Sequence, residues 1–102
     1  MSTVCIESTT AEKVEVFVDT PEDPTGAAVE YEITLDTVAS PTGSWSAGSW
    51  ESTWDSTTER ATTWTPTIGA SGTLTVVEGN TYTLWVRFSS TVIKAAATII
   101  VT

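Results

Sequence analysis

Val76-Val77-Glu78-Gly79-Asn80-Thr81-Tyr82-Thr83-Leu84-Trp85-Val86-Arg87-Phe88 is the stretch whose reading decides the fold. Glu78-Gly79-Asn80 reads as a chain reversal, since glycine and asparagine accept the left-handed backbone that tight turns demand. After it, Tyr82, Leu84, Val86 and Phe88 alternate with Thr81, Thr83, Trp85 and Arg87. A period of two places one set on each face of a β-strand. The first set is the expected core face, and Trp85 and Arg87 are expected on the outer one.

The same rhythm continues on both sides. Upstream, Leu74 and Val76 point one way, after a turn at Gly69-Ala70-Ser71-Gly72. Residues 28–35 alternate Val29, Tyr31, Ile33 and Leu35 with Glu30, Glu32 and Thr34, which predicts a core face and a face that is wet or meets a polar partner. Residues 14–18, Val-Glu-Val-Phe-Val, set valines against Glu15 and Phe17. Residues 60–65 form a further short strand closed by Pro66, and residues 3–6 a weak one. Residues 92–101 are apolar on both sides apart from Lys94 and Thr98, which predicts a central strand or an edge covered by another chain. Turn formers fill residues 20–26 and Ser40-Pro41-Thr42-Gly43. The sum is one domain spanning residues 1–102, an all-β, antiparallel sandwich of about seven short strands with an immunoglobulin-like rhythm.

Composition narrows the chemistry. Thirteen acidic residues against four basic ones give a formal charge of −9. That charge repels phosphate backbones and anionic head groups, so nucleic acid and membrane surfaces are not expected partners. With no histidine and one cysteine, there is neither a Cys/His zinc cage nor a Ser-His-Asp or Cys-His nucleophile, and Cys5 has no internal disulfide partner. Cys5 is expected to be a small buried hydrophobe. Glu22 and Asp23 share a turn without the spacing of a calcium loop, and Asp55 and Glu59 are an ordinary acidic pair, so no metal, cofactor or catalytic residue is assigned. The start, Met-Ser-Thr-Val-Cys-Ile-Glu, has neither the basic opening nor the apolar run of a signal peptide, and the expectation is a protein made and assembled inside a cell.

Trp45, Trp50, Trp54 and Trp64 fall in a segment otherwise rich in Ser, Thr and Gly, where the strand pattern weakens between residues 44 and 60. Indoles bury large areas and carry one N–H donor, so such a cluster suits either a core or a persistent interface. With Tyr82, Leu84 and the face from Val29 to Leu35 supplying an apolar centre, some of these rings are free for contact. The expected protein interface is Trp45, Trp50, Trp54, Trp64, Arg60, Trp85 and Arg87, with the two arginines reaching carboxylates across the contact.

The run from Val76 to Val86 resembles the strand E to strand F corner of fibronectin type III and related immunoglobulin-like domains. That resemblance implies a structural role for Gly79 and Tyr82, the tyrosine ring lying in the core and its hydroxyl bonding nearby backbone. A longer set of motifs, Asp23-Pro24-Thr25-Gly26, the strand through Val29, Gly48-Ser49-Trp50, Thr65-Pro66-Thr67-Ile68-Gly69 and Gly79 through Arg87 with its Trp85-Val86-Arg87 triplet, resembles small virion proteins of actinobacterial tailed phages and prophages. It implies a non-enzymatic virion structural protein, assembled in the host cytoplasm, that decorates and stabilises the capsid and binds the major capsid protein and copies of itself. One alternative is a head-to-tail connector or tail component, which would need open strand edges for ring formation. An alternative of another class is a carbohydrate-binding or adhesion module stacking sugars on Trp45, Trp50 and Trp54 beside Asp55.

Overall fold

The structure, a computed structural model that describes residues 2–6 and 11–102, contains ten strands and no helix among those residues. The strands are β1 (Ser2–Ile6), β2 (Glu15–Asp19), β3 (Val29–Leu35), β4 (Ser46–Ala47), β5 (Ser49–Trp50), β6 (Arg60–Trp64), β7 (Ile68–Gly69), β8 (Leu74–Thr75), β9 (Thr81–Phe88) and β10 (Thr91–Val101). Met1 and Glu7, part of the N-terminal run read above, lie outside the described residues. The expected count of about seven is exceeded because β4, β5, β7 and β8 are two-residue strands, too short to show a periodicity.

A five-stranded sheet has the order β1-β10-β9-β3-β4, a three-stranded sheet the order β2-β6-β5, and β7 pairs with β8. Ile6, Val29, Tyr31, Ile68, Leu74, Val76, Tyr82, Leu84, Val86, Ile99 and Val101 form one buried cluster, with Val14, Val16 and Trp50 packed against it. This is an all-β arrangement compatible with a β-sandwich. It is not purely antiparallel: β1 runs parallel to β10, and β7 parallel to β8. Alternation within a strand carries no information about the direction of its neighbour, so the mixed pairing had no signal in the sequence.

The register explains which strand positions are buried. β9 pairs with β3 through Leu84↔Ile33 and Val86↔Tyr31, so the inward sets of the two strands stand side by side. β10 lies between β9 and β1 with a register shift between Lys94 and Thr98, taking the central position of the two that its hydrophobicity allowed. Cys5 is exposed rather than buried: on β1 it is Ile6 that turns into the core, and Cys5 falls on the opposite face beside Ile100. Leu35, expected in the core, closes β3 and is 44% exposed.

Two close approaches fix local geometry. Gly79 has φ 90°, and Asn80 N–H donates to the Val77 carbonyl across that turn. The Tyr82 ring is buried beneath it, and its hydroxyl accepts the Val77 N–H at 3.0 Å. At Gly48, a Cβ would lie 2.6 Å from the Tyr31 ring and 2.7 Å from the Trp64 carbonyl oxygen, so only glycine lets the β4–β5 connection cross there.

Candidate functional site

The four clustered tryptophans do not share one surface. Trp50 pairs in register with the fully buried Thr63, which turns its ring toward the core. Its Nε1–H donates to the Ala27 carbonyl at 2.7 Å, and its ring meets Phe88 edge-on at 6.1 Å. Trp54 Nε1–H donates to the Thr20 carbonyl at 3.0 Å. Both indoles therefore tie residues 50–54 to the loop that joins β2 to β3. A buried indole N–H needs an acceptor, and the carbonyls of that loop supply it.

Trp45 and Trp64 lie half-buried on opposite sides of the molecule. Ser46 is level with Tyr31, so the preceding Trp45 falls on the outer face of the five-stranded sheet. There the Arg87 guanidinium sits 4.4 Å from its ring centroid and donates to the Glu30 carboxylate at 2.6 Å. Trp64 alternates with the buried Thr63 and Thr65, which places it on the outer face of the three-stranded sheet between Glu15 and Ser49. Arg60, on the same face, lies 4.9 Å over the exposed Phe17 ring and pairs with Asp19 at 2.7 Å. The two arginines expected to reach across a contact are thus matched within the chain. A stacked, paired guanidinium still holds its aromatic partner in place for a contact.

Trp85 occupies the outer face of its sheet, as alternation predicts, but is 9% exposed, with its Nε1–H donated to Thr34 Oγ1 at 2.9 Å. The face of β3 expected to be wet or to meet a polar partner is covered as well, with Glu32 2% exposed and Thr34 buried. The cover is the segment after β3. Thr42 N–H and the Thr42 hydroxyl donate to Glu32 Oε2, and Gly43 N–H donates to Oε1. Burial by itself would raise the Glu32 carboxyl, but these donors, joined by the Ser44 N–H, outweigh it and hold its pKa below the ordinary carboxylate range. A cavity of about 330 Å³ opens beside Glu32 toward Ser46 and Thr75.

Other carboxylates are perturbed at the surface. Arg60 lowers the pKa of Asp19. Asp23 is lowered by the hydroxyl and N–H of Thr25 in the turn before β3. Glu15 moves the other way, raised chiefly by a hydrogen bond shared with the Glu51 carboxyl, then by slight desolvation and the like charge. Asp55 accepts the Thr57 and Thr58 N–H groups in the turn before β6, where Glu59 has φ 55°. Among the described residues, no group of three or more Cys, Asp or Glu is placed to hold a metal ion.

Comparisons with protein-family models, with curated proteins and with solved structures return no match for this chain.

The aromatic surfaces are therefore two: Trp45 with Arg87 on the large sheet, and Trp64, Phe17 and Arg60 on the small one. Phe17 was visible in the alternation of residues 14–18 as the partner of Glu15 on the outward face, and it is the surface residue the tryptophan cluster obscured.

Proposed function

We propose that this chain is a non-enzymatic virion structural protein, an immunoglobulin-like module that binds the assembled capsid of a tailed phage and stabilises it. The strand order supports the module. The large sheet contains the first, last, ninth, third and fourth strands, and the small sheet the second, sixth and fifth. On this reading the two sheets correspond to those of an immunoglobulin-like domain, with the first strand running parallel beside the last. The buried Tyr82 ring, with its hydroxyl bonded to the Val77 N–H across the Gly79 turn, supports the comparison with the corner tyrosine of such domains.

The observation that carries decoration rather than ring formation is the pairing of β1 with β10. The long apolar strand that would recruit a neighbour edge-to-edge is covered within the monomer. Contact then falls to side-chain faces, and modest aromatic patches suffice when a shell presents many equivalent sites. The partners on this reading are the major capsid protein and sister copies seated on it. The sugar-binding alternative asks Trp45, Trp50 and Trp54 to form one flat platform. Trp50 turns toward the core and Trp45 is covered on one face by Arg87, so the geometry supports it less.

Co-sedimentation of the purified chain with preformed shells tests the reading. Saturable binding to shells, with no quenching of tryptophan fluorescence by a polysaccharide panel, is the expected result. A fluorescence response to a polysaccharide without shell binding would replace decoration with the sugar reading.

A further inference from the structure

We propose that the free edge of β2 pairs with the same edge of a second copy of this chain, the two strands running antiparallel about a two-fold axis at Val16. Among the described residues, β2 ends its sheet, hydrogen-bonded to β6 alone. The backbone bonds joining Glu12 to Ile68, Val14 to Thr65 and Thr20 to Glu59 show that the even-numbered positions face that side. Lys13, Glu15, Phe17 and Asp19 alternate with them, so their N–H and C=O groups point away from β6, to the open edge. All four side chains are exposed. A row of unpaired backbone groups is a template for another strand. The opposite edge, β5, is two residues long and offers no comparable template.

Charge selects the occupant and the register. Outward positions must meet outward positions, each such pair exchanging two bonds. With the axis at Val16, Lys13 stands opposite the second copy's Asp19 and Glu15 opposite its Phe17, and the two-fold repeats both pairs, so no charge directly faces its like. Moving the axis to Phe17 sets Glu15 against Asp19, and moving it to Glu15 sets that residue against itself. Like charges directly opposite are destabilising. Asp19 has room for the lysine, since its side chain is 63% exposed despite the bond to Arg60. On the inner face Val18 is fully buried, but Val14 and Val16 are only half-buried against the core. The pairing sets Val16 against its own copy and Val14 level with Val18, covering apolar surface that the sheet edge leaves open. The formal charge of −9 on each chain opposes association at long range, but physiological salt screens charges beyond about 8 Å and leaves the local pairs to decide. A two-fold contact closes on itself without forming a ring, and it needs no shell, so it goes beyond the capsid-binding reading.

Sedimentation equilibrium of the full chain at physiological ionic strength is the test. A monomer–dimer equilibrium is expected, with amide exchange at Glu15, Phe17 and Asp19 slowing as concentration rises. Lys13→Glu sets a carboxylate against Asp19 twice and should weaken the dimer about tenfold, while Lys94→Glu, the same charge change on β10, should weaken it little. In a Cys5→Ser background, Val16→Cys should give a disulfide-linked dimer on mild oxidation, and Phe17→Cys should not. Directly opposed residues of a non-hydrogen-bonded pair lie about 4.5 Å apart at Cα, within disulfide reach. A chain that stays monomeric as its concentration is raised, a dimer indifferent to Lys13→Glu, or crosslinking at position 17 in place of 16 would overturn the proposal. A dimer that never associates with capsids overturns the capsid reading alone. A monomer that binds capsids overturns the pairing alone.

Discussion

The Tyr82 hydroxyl accepts the Val77 N–H at 3.0 Å, joining the start of β9 to the chain before the Gly79 turn from inside the core. The Tyr82 ring is buried, so its hydroxyl is held where that amide arrives. Tyr82→Phe keeps the ring and leaves the amide without its acceptor. Chemical denaturation should show a loss of about 1 kcal/mol, with faster hydrogen exchange at Val77. An unchanged midpoint and unchanged exchange would mean the turn holds without the bond.

Glu32 makes stability pH-dependent with a defined sign. Its folded pKa lies below the ordinary value of 4.5, so its contribution is fully present above that value and is lost as pH falls through the depressed one. Glu32→Gln should cost about 2 kcal/mol at neutral pH, because donors arranged for a carboxylate then meet an amide. Denaturation midpoints measured through the acid range should fall less steeply for the variant than for the parent chain. Parallel curves would show that the segment from Thr42 to Ser44 does not depend on this charge.

Gly48→Ala should be among the most damaging small substitutions. The added methyl has the Tyr31 ring on one side and the Trp64 carbonyl on the other, both closer than 3 Å. Overpacking of this kind costs about 1–3 kcal/mol. Thermal melting is the check, and a melting temperature equal to that of the parent would show that the β4–β5 connection shifts freely.

Tyr31→Phe should have the opposite character. The Tyr31 hydroxyl is wholly buried without a hydrogen-bond partner, and Thr63 gives its own proton to the Ser49 carbonyl. Burial pushes the Tyr31 phenol up to about 12. Deleting an unsatisfied hydroxyl while keeping the ring should leave stability unchanged or raise it by about 1 kcal/mol. A clear loss in urea denaturation would mean that the hydroxyl is satisfied in solution.

Trp50→Ala and Trp54→Phe separate structure from contact. Trp50→Ala removes a ring packed on the core and on Phe88, and should cost about 3 kcal/mol. Trp54→Phe deletes mainly the bond to Thr20 and should cost about 1 kcal/mol. Retention of the parent melting temperature by both would return these rings to the interface.

The inward set Tyr82, Leu84, Val86 and Phe88 was readable because each residue's burial follows from its own strand's alternation. The burial of Glu32 and Trp85 was not readable, for a related reason. Alternation assigned them correctly to the outer face, but whether that face is wet depends on a later segment folding back over it. The same holds for Trp50 and Trp54, whose N–H acceptors lie 23 and 34 residues upstream. Pairings over such distances leave no local pattern. Glu51, beyond the end of β5, has no strand periodicity to connect it with Glu15, so the carboxylate pair became visible only in the fold.

The most direct test of the proposed role is the copy number of this chain in purified capsids produced by the genome that encodes it, measured by quantitative mass spectrometry against the major shell subunit. Decoration predicts near-stoichiometric amounts, lost on chemical stripping and restored by adding the purified chain back. Complete absence from particles would contradict the account, and a fixed low number confined to one vertex would place the chain in a connector instead.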